Sequence, residues 1–114
     1  MLRLVAGQLA ALDDQGTVRC LEQKTAGGPW SAWQRLPGSF TEVWTCRRRA
    51  GLEIYAIDTD GAAQVTRRQA SGFTPWTALG GPAFTTINAV EAADGRALVL
   101  ALDTDGTLHQ RWYP

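Results

Sequence analysis

The sequence has few of the residues that build metal or catalytic centres. It contains two cysteines, Cys20 and Cys46, and one histidine, His109. Their spacing matches no metal-binding motif, and one histidine cannot form a multi-histidine site. We therefore predict no metal and no cofactor. We also predict reduced thiols on half-buried strands, without a Cys20–Cys46 bridge, since free cysteine is among the more buried residue types.

Excess charge and long apolar runs are absent as well. Eleven Lys and Arg balance eleven Asp and Glu, whereas nucleic-acid-binding and membrane-surface proteins usually carry a basic excess. No apolar run approaches the roughly 20 residues needed to span a bilayer. The N-terminal segment, interrupted by Asp, is a poor signal peptide. We expect no nucleic-acid partner and no membrane insertion, and the sequence is compatible with the cytoplasm or with export lacking a recognisable signal.

Glycine and tryptophan are plentiful, and they mark an internal repeat. Gly16, Gly61 and Gly106 are spaced 45 residues apart, and an Asp precedes each of them by three positions. A second landmark has the pattern aromatic-x-x-Trp-x-x-Leu and occurs at 30–36 and again at 73–79. Repeats of 20 to 50 residues indicate solenoids, propellers or arrays.

Each repeat is predicted to contain four short strands. Leu52–Ile57 combines alternation with β-branched and aromatic residues, which is typical of a strand. An Asp-Thr-Asp-Gly turn follows, in which Gly supplies the positive φ and Asp caps the turn. Residues 63–67 return as a second strand, and 76–79 and 84–90 form the third and fourth. No window of eleven residues has a helical period free of Gly and Pro.

Four short strands per 45 residues predict an all-β chain of β-propeller blades, each a four-stranded antiparallel sheet. The chain is one propeller segment, 1–114, with blades at about 1–38, 39–81 and 82–114, the last one incomplete. It begins with a strand stub at Leu2–Val5, which could instead add to a partner's blade. Closed propellers carry four to eight blades, and the chain holds about 2.5 to 3. We expect closure by homo-oligomerisation, with a dimer of six blades favoured.

The repeat resembles that of the bacterial tectonin-like propeller lectins, which include the fucose-binding lectin family of Photorhabdus. The segments that carry the resemblance are Gly51–Gly61, Gly95–Trp112, Trp30-Ser31-Ala32-Trp33, Leu79-Gly80-Gly81 and His109-Gln110-Arg111-Trp112. It covers essentially the whole chain and implies a propeller that binds glycans with fucose-like or O-methylated sugars. The repeats are unequal, because Phe73 replaces the first Trp and Arg67 or Arg68 stands where the third repeat has Trp112. Sugar sites therefore need not exist at every blade.

Tryptophans and polar strand residues are the candidate sugar ligands, in pockets between blades. Flat aromatic faces suit the C–H surface of a pyranose, whereas a wedge of core between blades is the alternative use of a Trp. The core role is favoured for Trp33 and Trp76, and both roles are open for Trp30, Trp44 and Trp112. The predicted ligand set is Trp30, Trp33, Trp76, Trp112, Arg67, Gln110 and Arg111.

The remaining polar motifs have structural explanations. The Asp-x-Asp-Gly turns lack the downstream oxygen ligands that calcium requires. The arginines at 47–49 and 67–68 are interpreted as solvated charges, because neighbouring strand residues point to opposite faces. A glycosidase needs a tuned pair of carboxylates, and most acids here are on exposed turns. The sequence thus predicts a non-catalytic lectin, and the alternative is a self-assembling structural or protein-interaction propeller module, natural or engineered, without a sugar site.

Overall fold

The described part of the protein is all-β, as the sequence predicts. The computed structural model describes residues 7–23, 25, 27–48 and 51–114, and the backbone of residues 2–5. All regular elements in these residues are strands, joined into antiparallel sheets. Within these residues there is no helix of the length and hydropathy needed to cross a membrane.

Three sheets follow one another along the chain, each formed by strands that are close in sequence. Sheet 1 contains β1 (Leu2–Val5), β2 (Gln8–Leu12), β3 (Val18–Glu22) and β4 (Gln34–Arg35) in that order. Sheet 2 contains β5 (Phe40–Arg48), β6 (Gly51–Asp58), β7 (Ala63–Gln69), β8 (Gly72–Phe73) and β9 (Thr77–Ala78), and both β8 and β9 pair with β7. Sheet 3 contains β10 (Phe84–Glu91), β11 (Ala97–Asp103) and β12 (Leu108–Tyr113).

The same turn joins the second and third strands of every sheet. In sheet 2, Oδ1 of Asp58 accepts hydrogen bonds from the backbone N–H groups of Asp60 and Ala62, both at 2.9 Å. Gly61 has a φ of 85°, and an added Cβ would lie 2.8 Å from the Ala83 Cβ, so only glycine fits without strain. The two hydrogen bonds to Oδ1 confirm the side-chain cap predicted for Asp58. Asp13 and Asp103 cap their turns in the same way.

The sheets pack face to face, with sheet 2 between the other two. Alternate residues of β6 point to opposite faces: Ile54 joins the core shared with sheet 1, and Tyr55 joins the core shared with sheet 3. The core between sheets 1 and 2 contains Ala10, Val18, Cys20, Leu36, Phe40, Val43, Leu52, Ile54 and Ala56. The core between sheets 2 and 3 contains Cys46, Tyr55, Ile57, Ala63, Val65, Leu79, Phe84, Ile87, Ala89, Ala97, Val99 and Ala101.

Some sequence expectations need correction in detail. Cys20 and Cys46 are free thiols that are buried rather than half-buried, with 3% and 5% of their surface exposed, and each belongs to a different core. The stub at Leu2–Val5 is β1, and it pairs with β2 of its own sheet. The strand expected at 76–79 is shorter, because only Thr77 and Ala78 pair with β7.

Candidate functional site

A large cleft lies at the junction between sheets 1 and 2. This sheet 1–2 cleft has a volume of about 720 Å³, within the range of roughly 300–1,000 Å³ that is usual for small-molecule sites. Sheet 1 and its β3–β4 loop supply most of the wall, and Arg68 comes from sheet 2. The cleft is lined by Cys20, Leu21, Glu22, Thr25, Pro29, Trp30, Ser31, Ala32, Gln34 and Arg68.

Backbone hydrogen bonds hold Trp30 beside the end of β3. Trp30 forms an isolated antiparallel bridge with Gln23, and the Ser31 N–H donates to the carbonyl oxygen of Glu22 at 2.7 Å. In return, the Glu22 N–H donates to the Ser31 hydroxyl oxygen at 2.9 Å. These contacts fix the backbone at the base of the loop, while 43% of the Trp30 surface stays exposed. The cleft therefore contains a tryptophan whose backbone is anchored and part of whose surface is available to a ligand.

An ion pair lines the same cleft as Trp30. Nε of Arg68 donates to Oε1 of Glu22 at 2.6 Å, and both side chains retain a little over a quarter of their surface exposed. The guanidinium has five N–H donors and the carboxylate two acceptor oxygens, so this pair can bind hydroxyl groups beyond its mutual hydrogen bond. Arg68 also lies over the ring of Phe73, with 5.6 Å from Cζ to the ring centroid.

The buried thiol of Cys20 in this cleft is in its unreactive, protonated form. Burial raises the pKa of Cys20 to about 11, and the neighbouring charge of Glu22 adds to that effect. The Cys20 Sγ also approaches the carbonyl oxygen of Gln34 at 3.7 Å. Nucleophilic and metal-binding cysteines react as thiolates, and Cys20 is protonated near neutral pH.

A repeat-equivalent cleft lies between sheets 2 and 3, and it is smaller, about 180 Å³. Arg67 occupies the position of Glu22, Thr74 that of Ser31, and Tyr113 that of Arg68. Phe73 stands where Trp30 does in the first repeat, and its ring is partly buried against the core between sheets 1 and 2. This second cleft therefore lacks the exposed indole of the first, and its ion pair is Arg67–Glu53, at 2.7 Å, in place of Arg68–Glu22.

A buried ionic cluster, which the sequence analysis missed, fills the region beside this second cleft. Glu53 has 1% of its surface exposed, and its carboxylate accepts from Arg48 at 2.6 and 2.7 Å, from Arg67 at 2.7 Å and from the Tyr55 hydroxyl at 2.9 Å. Arg48 also donates to the carbonyl oxygens of Gly95 and Tyr113 in and beside sheet 3. The cluster therefore connects sheets 2 and 3.

The electrostatics of this cluster favour the charged carboxylate. Burial on its own would raise the pKa of Glu53, but the hydrogen bonds from Arg48, Arg67 and Tyr55 outweigh burial and lower that pKa overall. The interpretation of the arginines as solvated charges is wrong for Arg48, which is 6% exposed. A glutamate within the apolar run Leu52–Ile57 was the available signal, because a buried carboxylate requires a charged partner.

Five of the seven predicted ligands line pockets, but these are four different pockets. Trp30 lines the sheet 1–2 cleft, and Arg67 lines its smaller equivalent. Trp76 packs on Phe40 with 4.6 Å between ring centroids, and its Nε1–H donates to the carbonyl oxygen of Pro37 at 2.9 Å. Trp76 therefore lines a separate pocket, where the loop after β4 meets β5.

The remaining four predicted ligands lie at another pocket or outside the pockets described. Gln110 and Arg111 on β12 line a third pocket of about 180 Å³ next to Phe84. Trp112 is 44% exposed on sheet 3 and lies under the Arg96 guanidinium, 4.4 Å from Cζ to the ring centroid. Trp33 is 49% exposed and lies outside the clefts described above. The seven predicted residues therefore do not form one site.

The pocket at Phe84 differs from the equivalent region of the preceding repeat. In sheet 2 the Trp76 ring packs on Phe40, and Phe40 corresponds to Phe84. The residues that line the pocket next to Phe84 include no indole, and His109 packs edge-on against the Phe84 ring with 5.4 Å between ring centroids.

Comparison with known proteins supplies no further assignment for these clefts. No protein-family model and no curated protein matches the chain. Across the described ranges, no group of three or more His, Cys, Asp or Glu side chains is arranged to hold a metal ion. The chemistry of the site therefore has to be argued from its own residues.

Proposed function

We propose that the chain is a segment of a β-propeller that binds carbohydrate without catalysis. Two observations support the propeller: the 45-residue repeat, and the sequential antiparallel sheets that pack face to face. Propeller blades are small antiparallel sheets with this period. In this interpretation each of sheets 1 to 3 is one blade, and the sheet 1–2 cleft is an interblade pocket.

The observation that carries the sugar assignment is that the exposed Trp30 and the Glu22–Arg68 ion pair line the same cleft. A pyranose presents an apolar C–H face and a rim of hydroxyl groups. The indole suits the apolar face, while the carboxylate and guanidinium suit the hydroxyl rim. Fucose-like and O-methylated sugars have an additional methyl group that favours an aromatic wall, and the lectin resemblance suggests the same sugars.

A binding role is favoured over an enzymatic one by the state of the polar groups. Hydrolysis of a glycoside usually needs two carboxylates on either side of the scissile bond, and Glu22 is the one carboxylate that lines the described part of this cleft. Oε1 of Glu22 also accepts a hydrogen bond from Arg68, so this oxygen is already engaged within the protein. The protonated thiol of Cys20 offers no nucleophile.

A glycan array tests this proposal with two matched variants. The wild-type chain, Trp30→Ala and Trp33→Ala are labelled and applied to fucosylated, O-methylated and unrelated glycans. We expect wild-type binding, a loss of at least about 30-fold for Trp30→Ala, as for truncation of a binding hot spot, and no change for Trp33→Ala. Trp33 is the control because it is equally exposed and outside the cleft.

The array has two results that would contradict the proposal. If a wild-type chain with an intact β circular-dichroism spectrum binds no glycan, the lectin function is wrong. If Trp33→Ala loses binding as Trp30→Ala does, the location of the site is wrong.

The second candidate function is a protein-interaction propeller module without a sugar site. The observation that favours it is the exposed apolar surface on sheet 3, where Val90, Leu102, Leu108 and Trp112 are each more than a third exposed. Apolar patches of this kind commonly mark interaction sites. A folded chain that binds no glycan but self-associates would favour this candidate over the lectin.

A further inference from the structure

Sheet 3 has an uncovered apolar face on the side away from sheet 2. Register pairs Val90 with Leu98, Leu102 with Leu108 and Leu98 with Trp112, so these side chains point to one face. We define the outer face of sheet 3 by its apolar residues Val90, Leu98, Leu100, Leu102, Leu108 and Trp112. Asn88 and Gln110, which pair with Leu100, lie on the same face. Of the six large apolar side chains that are exposed in the described residues, four are in this set.

The internal repeat indicates what covers such a face. Leu98, Leu100 and Leu102 follow Glu53, Tyr55 and Ile57 at an interval of 45 residues. The last two of those belong to the core between sheets 2 and 3, so the equivalent face of sheet 2 is covered by the next sheet of the repeat. The outer face of sheet 3 therefore has the same strand pattern as a face of sheet 2 that packs on another sheet.

Sheet 1 has the complementary surface. Its residues Ala10 and Cys20 pack on sheet 2, so the alternating residues Leu9 and Ala11 are on the opposite face. Leu9 and Ala11 precede Ile54 and Ala56 by 45 residues, and Ile54 and Ala56 are on the side of sheet 2 that packs on sheet 1. We define the outer face of sheet 1 by Leu9 and Ala11.

We propose that the outer face of sheet 3 binds the outer face of sheet 1 of a second copy of this chain. The contact is head-to-tail, because it joins different faces of the two copies, and head-to-tail contacts form closed rings when the rotation closes. Each junction in the ring then repeats the packing already present between sheets 1 and 2 and between sheets 2 and 3. This inference rests on the propeller part of the proposed function and not on the sugar site.

The size of the faces favours a ring of two copies over one isolated junction. Three strands of six to eight residues give a planar footprint of roughly 330 Å², from ordinary strand spacing and rise. A stable interface usually buries about 800 Å² per partner. One junction has less than half of that area, whereas a two-copy ring forms two junctions, with a planar footprint of roughly 660 Å² per chain that comes close to it. Its six sheets are within the range of four to eight blades.

Light scattering with charge variants tests this assembly. The wild-type chain should have twice the 12.4 kDa mass of one chain. Leu102→Glu on sheet 3 and Ala11→Lys on sheet 1 should each raise the dimer dissociation constant by at least about tenfold, because each places a charge in an apolar contact. Ala78→Glu is the control, since Ala78 is exposed on β9 and belongs to neither outer face. Leu108→Glu, at a side chain that is 62% exposed, replaces Leu102→Glu if that variant does not fold.

Mixing the two disruptive variants separates this contact from a symmetric one. A mixed dimer of Leu102→Glu and Ala11→Lys has one junction without substitutions and one that pairs Glu with Lys, so the mixture should recover the dimer mass. No recovery would contradict the head-to-tail arrangement. A monomeric or trimeric wild-type chain, or a dimer that survives both substitutions, would overturn the proposal. Glycan binding by folded Leu102→Glu monomer would uphold the sugar site independently of the result for the ring.

Discussion

Replacement of Glu53 by glutamine removes the charge from the most buried carboxylate in the described residues while keeping its size. Arg48, itself 6% exposed, then remains in the interior without its bidentate partner. Breaking a buried ion pair by removing one partner typically costs about 3–5 kcal/mol of unfolding free energy. A domain of this length has about 6–17 kcal/mol in total, so the loss is a large fraction of its stability.

Thermal unfolding followed by circular dichroism measures this effect. With an unfolding entropy of about 2.1 cal/mol/K per residue, a loss of 3–5 kcal/mol lowers the Tm by roughly 12–20 °C. Asp94→Asn is the matched control, because the Asp94–Arg96 pair is about half exposed and a surface pair contributes little. A double variant with Arg48→Met and Glu53→Leu should be more stable than Glu53→Gln, since it leaves no buried charge unpaired. A Tm for Glu53→Gln equal to that of Asp94→Asn would refute the reasoning.

Four further predictions follow from single contacts. Asp58→Ala removes two turn hydrogen bonds and should cost about 1 kcal/mol in urea unfolding, whereas an unchanged midpoint would show that the cap is dispensable. Gly61→Ala should destabilise more than Gly106→Ala, because both have a positive φ but only Gly61 faces a Cβ clash; equal effects would contradict this. Because folding lowers the pKa of Glu53, its charged form should stabilise the folded chain above the ordinary pKa near 4.5, and this stabilisation should be lost as the pH falls below that value. A free energy of unfolding that stays constant from pH 7 to 3 would exclude this linkage. Cys20, with a pKa of about 11, should react with a thiol reagent at pH 8 far more slowly in the folded chain than in urea, and equal rates would show that it is accessible.

The all-β architecture was predictable because its signals are local. Gly16, Gly61 and Gly106 each need a positive φ within a hairpin turn, and an Asp three residues earlier caps that turn. Strand alternation then determines which residues point to which face. These requirements act within a few residues of each other, so they can be recognised in the sequence without tertiary information.

The site was less predictable because it depends on which residues meet across sheets. Glu22 and Arg68 are 46 positions apart, and their pairing requires the stacking of sheets 1 and 2. Oδ2 of the turn aspartate also has a different side-chain partner in each repeat, namely Arg19, Gln64 and His109 in turn. Because these three residue types differ, the sequence does not show that their positions are equivalent. Burial of Arg48 likewise depends on sheet 3, which a run of three arginines does not reveal.

The most direct test of the proposed sugar site is the indole N–H spectrum of the chain, labelled with nitrogen-15, during titration with a glycan selected on the array. The Trp30 signal is assigned by its loss in Trp30→Phe. Trp44 and Trp76 are internal references, because their Nε1–H groups donate to the carbonyl oxygens of Ala89 and Pro37. We predict a saturable shift of the Trp30 signal while the Trp44 and Trp76 signals stay in place. A stationary Trp30 signal, with binding reported by another tryptophan, would contradict the site between sheets 1 and 2.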